Sequence, residues 1–85
     1  MNVTVLFFAS LREALGTGRE AVALPAHVRT AGELREHLCA RGPAWQSALG
    51  GTRPVRVAVD QVMAGPEALL AEGAEVAFFP PVTGG

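Results

Sequence analysis

Thr30 to Pro43 read TAGELREHLCARGP, and the fold turns on whether this stretch is a helix with one apolar side. Thr30 and Glu33 stand at capping-box spacing: the threonine hydroxyl can accept from the backbone N–H three residues on, and the glutamate can reach back to the threonine's own N–H. Ala31, Leu34 and Leu38 then recur on one side, Arg35, Glu36 and Arg41 fall largely elsewhere, and Gly42 with Pro43 stops the run. The pattern predicts the main helix over residues 31–41, and its apolar side needs a sheet to lie on.

Strands are written on either side of it. Residues 2–8, NVTVLFF, are β-branched and aromatic without a breaker; Val3, Val5 and Phe7 share one face, Leu6 and Phe8 the other. A strand apolar on both faces is either central and covered twice, or has one face left for another protein. Ser10 and Glu13 repeat the capping-box spacing ahead of a short helix with Leu11, Ala14 and Leu15, ended by Gly16. REAVAL, residues 19–24, returns as a second strand.

Beyond the main helix, Trp45, Ala48 and Leu49 give one more amphipathic turn, with the tryptophan plugging the core edge. PVRVAVD, residues 54–60, alternates Val55, Val57 and Val59 with Arg56 and Ala58 as a half-buried strand; Asp60 and Gln61 suit a turn into a short Val62–Met63 strand. A loop around Gly65 and Pro66 and the apolar Ala68–Leu70 follow, Gly73 supplies a positive φ, and VAFF, residues 76–79, is the last strand. The simplest packing of this order is α+β: a mixed sheet of about five strands wrapped over one main helix with additional short helices, a β-grasp.

Composition removes several classes of function. At 85 residues the chain is one domain, and 49% hydrophobic with 18% charged residues is a packed protein rather than a disordered one. Seven arginines, no lysine and eight acids leave a net charge of −1 and no basic stripe for a nucleic acid. The apolar run Val3–Leu11 has no positive region before it and is too short for a bilayer, so neither secretion nor a membrane is expected and the location is read as cytoplasmic. Cys39 is the lone cysteine, with His37 two positions away and pointing nearly opposite on a helix, so it is read as a partly buried thiol rather than a nucleophile. His27 and His37 have no ligand spacing, and no metal is expected.

The ending FFPPVTGG, residues 78–85, is patterned where chain ends are usually dull. Pro80 and Pro81 cannot donate to a ladder and favour extended backbone, so they close the strand and divide a body, residues 1–81, from a tail, residues 82–85. Those four residues can reach ~13 Å at ~3.3 Å each. Gly84 and Gly85 are no wider than backbone, which suits entry into a channel too narrow for side chains. A terminal carboxylate is an anion and a poor electrophile, so it would need activation by another protein, as through an acyl-adenylate. On the last strand Val76 and Phe78 share one face, Ala77 and Phe79 the other; Phe79 is expected outside, joining Phe8 as an apolar docking patch. The alternative is a doubly covered sheet with both phenylalanines inside.

EVAFFPPVTGG, residues 75–85, and VTVLFFASLREALGT, residues 3–17, closely resemble the small subunits of molybdopterin synthase, ubiquitin-like sulfur carriers, and the order of elements agrees along the chain. The resemblance implies that the Gly85 carboxylate is adenylated with ATP by an activating enzyme and converted to a thiocarboxylate with sulfur from a donor protein. The large synthase subunit would spend that sulfur on cyclic pyranopterin monophosphate, one sulfur from each carrier, in a heterotetramer. It further implies that the chain is no enzyme by itself and binds no cofactor. Val82, Thr83, Gly84 and the two prolines would thread into the partner, and Arg12 matches a basic residue of the family's first helix that could pair with partner acids. Asp60 stands where the family commonly has Asn, and Ala74 replaces an acid. Two other readings of Gly85 stay open: a carrier for thiazole formation in thiamine synthesis, and a modifier joined to a target lysine. So does a plain binding domain with an inert tail.

Overall fold

A computed structural model of the chain describes residues 1–51 and 53–81. In chain order it has β1 (Asn2–Phe7), α1 (Ala9–Leu15), β2 (Arg19–Ala23), α2 (Ala31–Cys39), α3 (Pro43–Leu49), β3 (Arg56–Val59), β4 (Val62–Ala64) and β5 (Glu75–Phe79). The strands make one five-stranded sheet in the order β2-β1-β5-β3-β4. β1 and β5 run parallel, and the other neighbouring pairs are antiparallel. This is the β-grasp that the element order predicts.

The main helix starts as expected. Thr30 Oγ1 accepts from the Glu33 N–H at 3.1 Å, and Glu33 Oε1 accepts from the N–H groups of Arg29 and Thr30 at 2.9 and 3.0 Å. These bonds hold the Glu33 carboxyl below its ordinary pKa. Leu34 and Leu38 are fully buried against Val3, Val5 and Phe7 of β1 and Val76 and Phe78 of β5. Each leucine contributes about 1.5–3 kcal/mol by leaving water. The helix is shorter than predicted: Ala40 caps it, and the Arg41 N–H tightens onto the Leu38 carbonyl at 3.0 Å.

The first helix departs from its predicted start. Phe8, extended at φ −117°, is the N-cap with no side-chain cap bond, and α1 opens at Ala9 with φ +52°. Ser10 therefore lies inside the first turn, where its hydroxyl cannot close a capping box with Glu13. The turn at Ala9 also ends β1 one residue early, after Phe7. Gly16 caps the far end at φ +73°, and Gly73 takes φ +80° before β5, both as predicted. Asp60 and Gln61 both have positive φ, +50° and +69°, the geometry of a two-residue hairpin between β3 and β4.

Arg41 clasps the helix layer to the sheet edge. Its guanidinium donates to both carboxylate oxygens of Glu20 on β2, at 2.9 and 2.6 Å, and lies 4.6 Å from the centroid of the Trp45 ring. Trp45 meets Phe7 edge-on at 5.6 Å, at the core edge. The hydrogen bond from Arg41 is the main cause that lowers the Glu20 carboxyl from 4.5, with burial opposing.

Three outcomes test this packing. Leu34→Ala should cost ~2–5 kcal/mol in urea unfolding, and Gln61→Gly should stabilise by up to ~1 kcal/mol by relieving a left-handed non-glycine residue. Because the folded Glu20 pKa is depressed, its contribution is full above about 4.5 and is lost as pH falls through the folded value. Glu20→Gln should therefore remove that part of the acid-side loss, worth ~0.2–1 kcal/mol for a partly exposed pair, read as the change in urea midpoint with pH.

Candidate functional site

Parallel pairing brings the last residues of β1 and β5 to one end of the sheet. Phe7 is level with Phe78, and the Phe8 N–H donates to the Phe78 carbonyl at 3.2 Å. On its other side β5 pairs antiparallel with β3, which sets Arg56 opposite Phe79. The chain is thus held on both flanks up to Phe79. Pro80 and Pro81 follow half-buried, beside an open groove of roughly 370 Å³ that Leu11, Ala14, Pro54 and Val55 also line. Val82, Thr83, Gly84 and Gly85 lie outside the described residues.

Strand alternation then sorts the two adjacent phenylalanines. Phe78 is 1% exposed and stacks on Phe7, ring centroids 6.2 Å apart. Phe79 faces the other way and is half-buried, and Phe8 is 48% exposed. The helices pack on the Phe78 side, so β1 is central in the sheet but is not covered on both faces.

The opposite face carries more apolar surface than the two phenylalanines predicted from sequence. Register aligns Leu6, Ala77, Ala58 and Met63 in one row across β1, β5, β3 and β4. Met63 is 53% exposed, while Ala77 is buried yet stands outside the core cluster. The row runs beside Phe79 and ends at Arg19 on β2. Period-two alternation gave the face of each residue, but alignment across strands depends on register, which no single segment encodes. Small residues at the row's centre, Ala77 and Ala58, keep that surface low, a flat apolar platform.

Arg12 does not join this platform. Its side chain packs beside Gly18, where a Cβ would come within 3.0 Å of Nε, over the connection from α1 to β2. Among the described residues it makes no ion pair. Cys39 is half-buried in α2, and burial raises its thiol pKa. Also among the described residues, no three side chains of metal-ligating type come together and no helix is long and apolar enough to cross a membrane. Ala74, where the resemblance implies an acid, is 4% exposed in the core, a place that suits a methyl group and not an unpaired charge.

The chain matches the ThiS family over residues 5–85. It is 42% identical over 83 residues to the molybdopterin synthase sulfur carrier subunits of Haemophilus influenzae and Escherichia coli, covering 98% of this chain and 99% of each relative. Among solved structures it is similar to SAMP1, a small archaeal modifier protein, from Haloferax volcanii: TM-score 0.82, 28% identity, 100% of both chains covered.

The two phenylalanines should separate in stability. Phe78→Ala should cost ~3–5 kcal/mol and Phe79→Ala less than ~1.5 kcal/mol, both measured by urea unfolding at neutral pH.

Proposed function

From the premise that the chain belongs to the ThiS family, we propose that it is the sulfur carrier subunit of a molybdopterin synthase, working through the carboxyl of Gly85. The observation that carries this reading is the 42% identity to sulfur carrier subunits along nearly the whole chain. The geometry of β5 supports it. A strand paired on both sides ends in two prolines, so the residues that follow leave from a fixed point rather than from a loose terminus.

The chemistry follows from the carboxylate. An activating enzyme transfers AMP from ATP to a Gly85 oxygen, releasing pyrophosphate, and the mixed anhydride makes the carbonyl carbon electrophilic. Sulfur delivered at the sulfide level by a donor protein adds to that carbon, the bond to AMP breaks, and a thiocarboxylate remains. Within the synthase the large subunit passes that sulfur to cyclic pyranopterin monophosphate, and the carrier returns as a carboxylate to be recharged. Two carriers serve one dithiolene, in a heterotetramer in the cytoplasm. This chain contributes the handle and the docking surface, with residues 1–81 as body and 82–85 as tail. Val82 and Thr83 are the threaded stem and Gly84 the slender approach.

Phe8 and Phe79, with Leu6, Ala58, Ala77 and Met63 beside them, are the surface for the large subunit, and Arg12, over the connection from α1 to β2, supplies a separate cation for partner acids. A second reading is a modifier joined through Gly85 to a lysine of another protein; it is favoured by the likeness to SAMP1. Thiazole-pathway carriage shares the same Gly85 chemistry and differs in partner.

Intact mass measurement after expression with an activating enzyme tests the carrier reading: one terminal oxygen replaced by sulfur supports it, and amide conjugates that survive thiol reagents favour the modifier. Copurification of the large synthase subunit selects the pathway. Deleting Gly85, or adding a residue after it, should abolish sulfur transfer with no change in the urea midpoint. Phe79→Asp should weaken large-subunit binding ~10- to 100-fold, the loss of ~1.5–3 kcal/mol of apolar burial, measured by titration calorimetry.

A further inference from the structure

An activated acyl group is attacked by whatever amine or thiolate reaches it, so a carrier of one must contend with its own nucleophiles. This chain has seven arginines and no lysine in its 85 residues. A guanidinium stays protonated and has no free lone pair, so arginine supplies positive charge without supplying an acyl acceptor. Several of these cations have structural tasks that an amine could share. Arg35 donates to the carbonyls of Leu49 and Arg53, Arg53 donates to Ser47, and Arg41 clasps Glu20. Each position uses arginine nonetheless.

The remaining nucleophiles are placed out of the way. The α-amino group of Met1 donates to the Leu24 carbonyl at 3.3 Å, next to the Leu24 N–H that donates to the Met1 carbonyl at 2.8 Å. Because β1 and β5 are parallel, that amine lies at the opposite end of the sheet from the tail's root. Six strand residues at ~3.3 Å put it roughly 20 Å from Phe7. The four residues after Pro81 span at most ~13 Å when fully extended, less than that distance. Cys39, the lone thiol, is half-buried among residues packed against the core.

We propose that the chain is a one-way acyl donor: its activated terminus reacts with groups on other proteins and does not close on its own body. The proposal rests on activation of Gly85, as argued above, and adds that the body is made inert to that activation. In the reaction avoided, an amine adds its lone pair to the Gly85 carbonyl carbon, the bond to the leaving group breaks, and an amide forms as the amine proton leaves with that group. Arg56 is the position where an amine would do most harm, since it is exposed and lies opposite Phe79, one residue before the prolines.

The test uses the full chain with a mercaptoethanesulfonate thioester at Gly85, in its native sequence and as Arg56→Lys, kept at mildly alkaline pH and followed by intact mass. The native sequence should lose the thioester only to water, giving the free acid. Arg56→Lys should lose it at least ~10-fold faster to an internal amide, one water lighter than the free acid, through the raised effective molarity of a tethered amine. A cyclic product from the native sequence would overturn the proposal, as would identical products from both proteins. The readout requires no synthase, so failure to find the large subunit would strike the pathway and leave this result standing.

Discussion

The pairing of β1 with β5 is the contact on which the rest of the molecule depends. It is the parallel junction at the middle of the sheet, and it sets Phe7 level with Phe78 so that their rings stack beneath the helices. The same register puts Phe8 and Phe79 at one end of the sheet. Because β3 pairs with β5 on its other flank, the backbone is fixed up to Phe79. A segment ordered in advance loses less entropy on docking than one that must be ordered then.

The sheet divides its labour by face. Valines, leucines and two phenylalanines fill the side toward the helices, where a domain of this size needs nearly all its apolar residues to offset chain entropy. The other side keeps a row of apolar residues in water, with alanines at its centre and Met63 at its rim. Such a row adds little to the stability of the isolated chain, which suits the docking surface proposed above. The arginine clasp at Glu20 and Trp45 stands at the opposite flank of the sheet from Met63 and serves the body instead.

Positive charge throughout the chain is carried on guanidinium, which binds carbonyls and carboxylates without offering a lone pair. For the proposed acyl carrier this is a chemical choice as well as an electrostatic one. The parallel pairing extends it, since it places Met1 and Phe79 at opposite ends of the sheet.

Sequence by itself determined the element order, the α2 cap at Thr30 and Glu33, the inward set of Val3, Val5, Phe7, Val76 and Phe78, and the turn at Asp60 and Gln61. Each rests on local periodicity or on backbone geometry confined to a few residues. It also determined the family, through the two terminal runs that it shares with sulfur carriers. The start of α1 was not legible, because the Ser10 and Glu13 spacing is that of a cap, while the chain had already turned at Ala9. Only the tertiary structure decided that Leu6, Ala77, Ala58 and Met63 share a row, and that Arg12 packs beside Gly18 over the connection from α1 to β2. Those are matters of register and of packing between segments distant in the chain, and they are fixed only when the strands pair and the helices take one side.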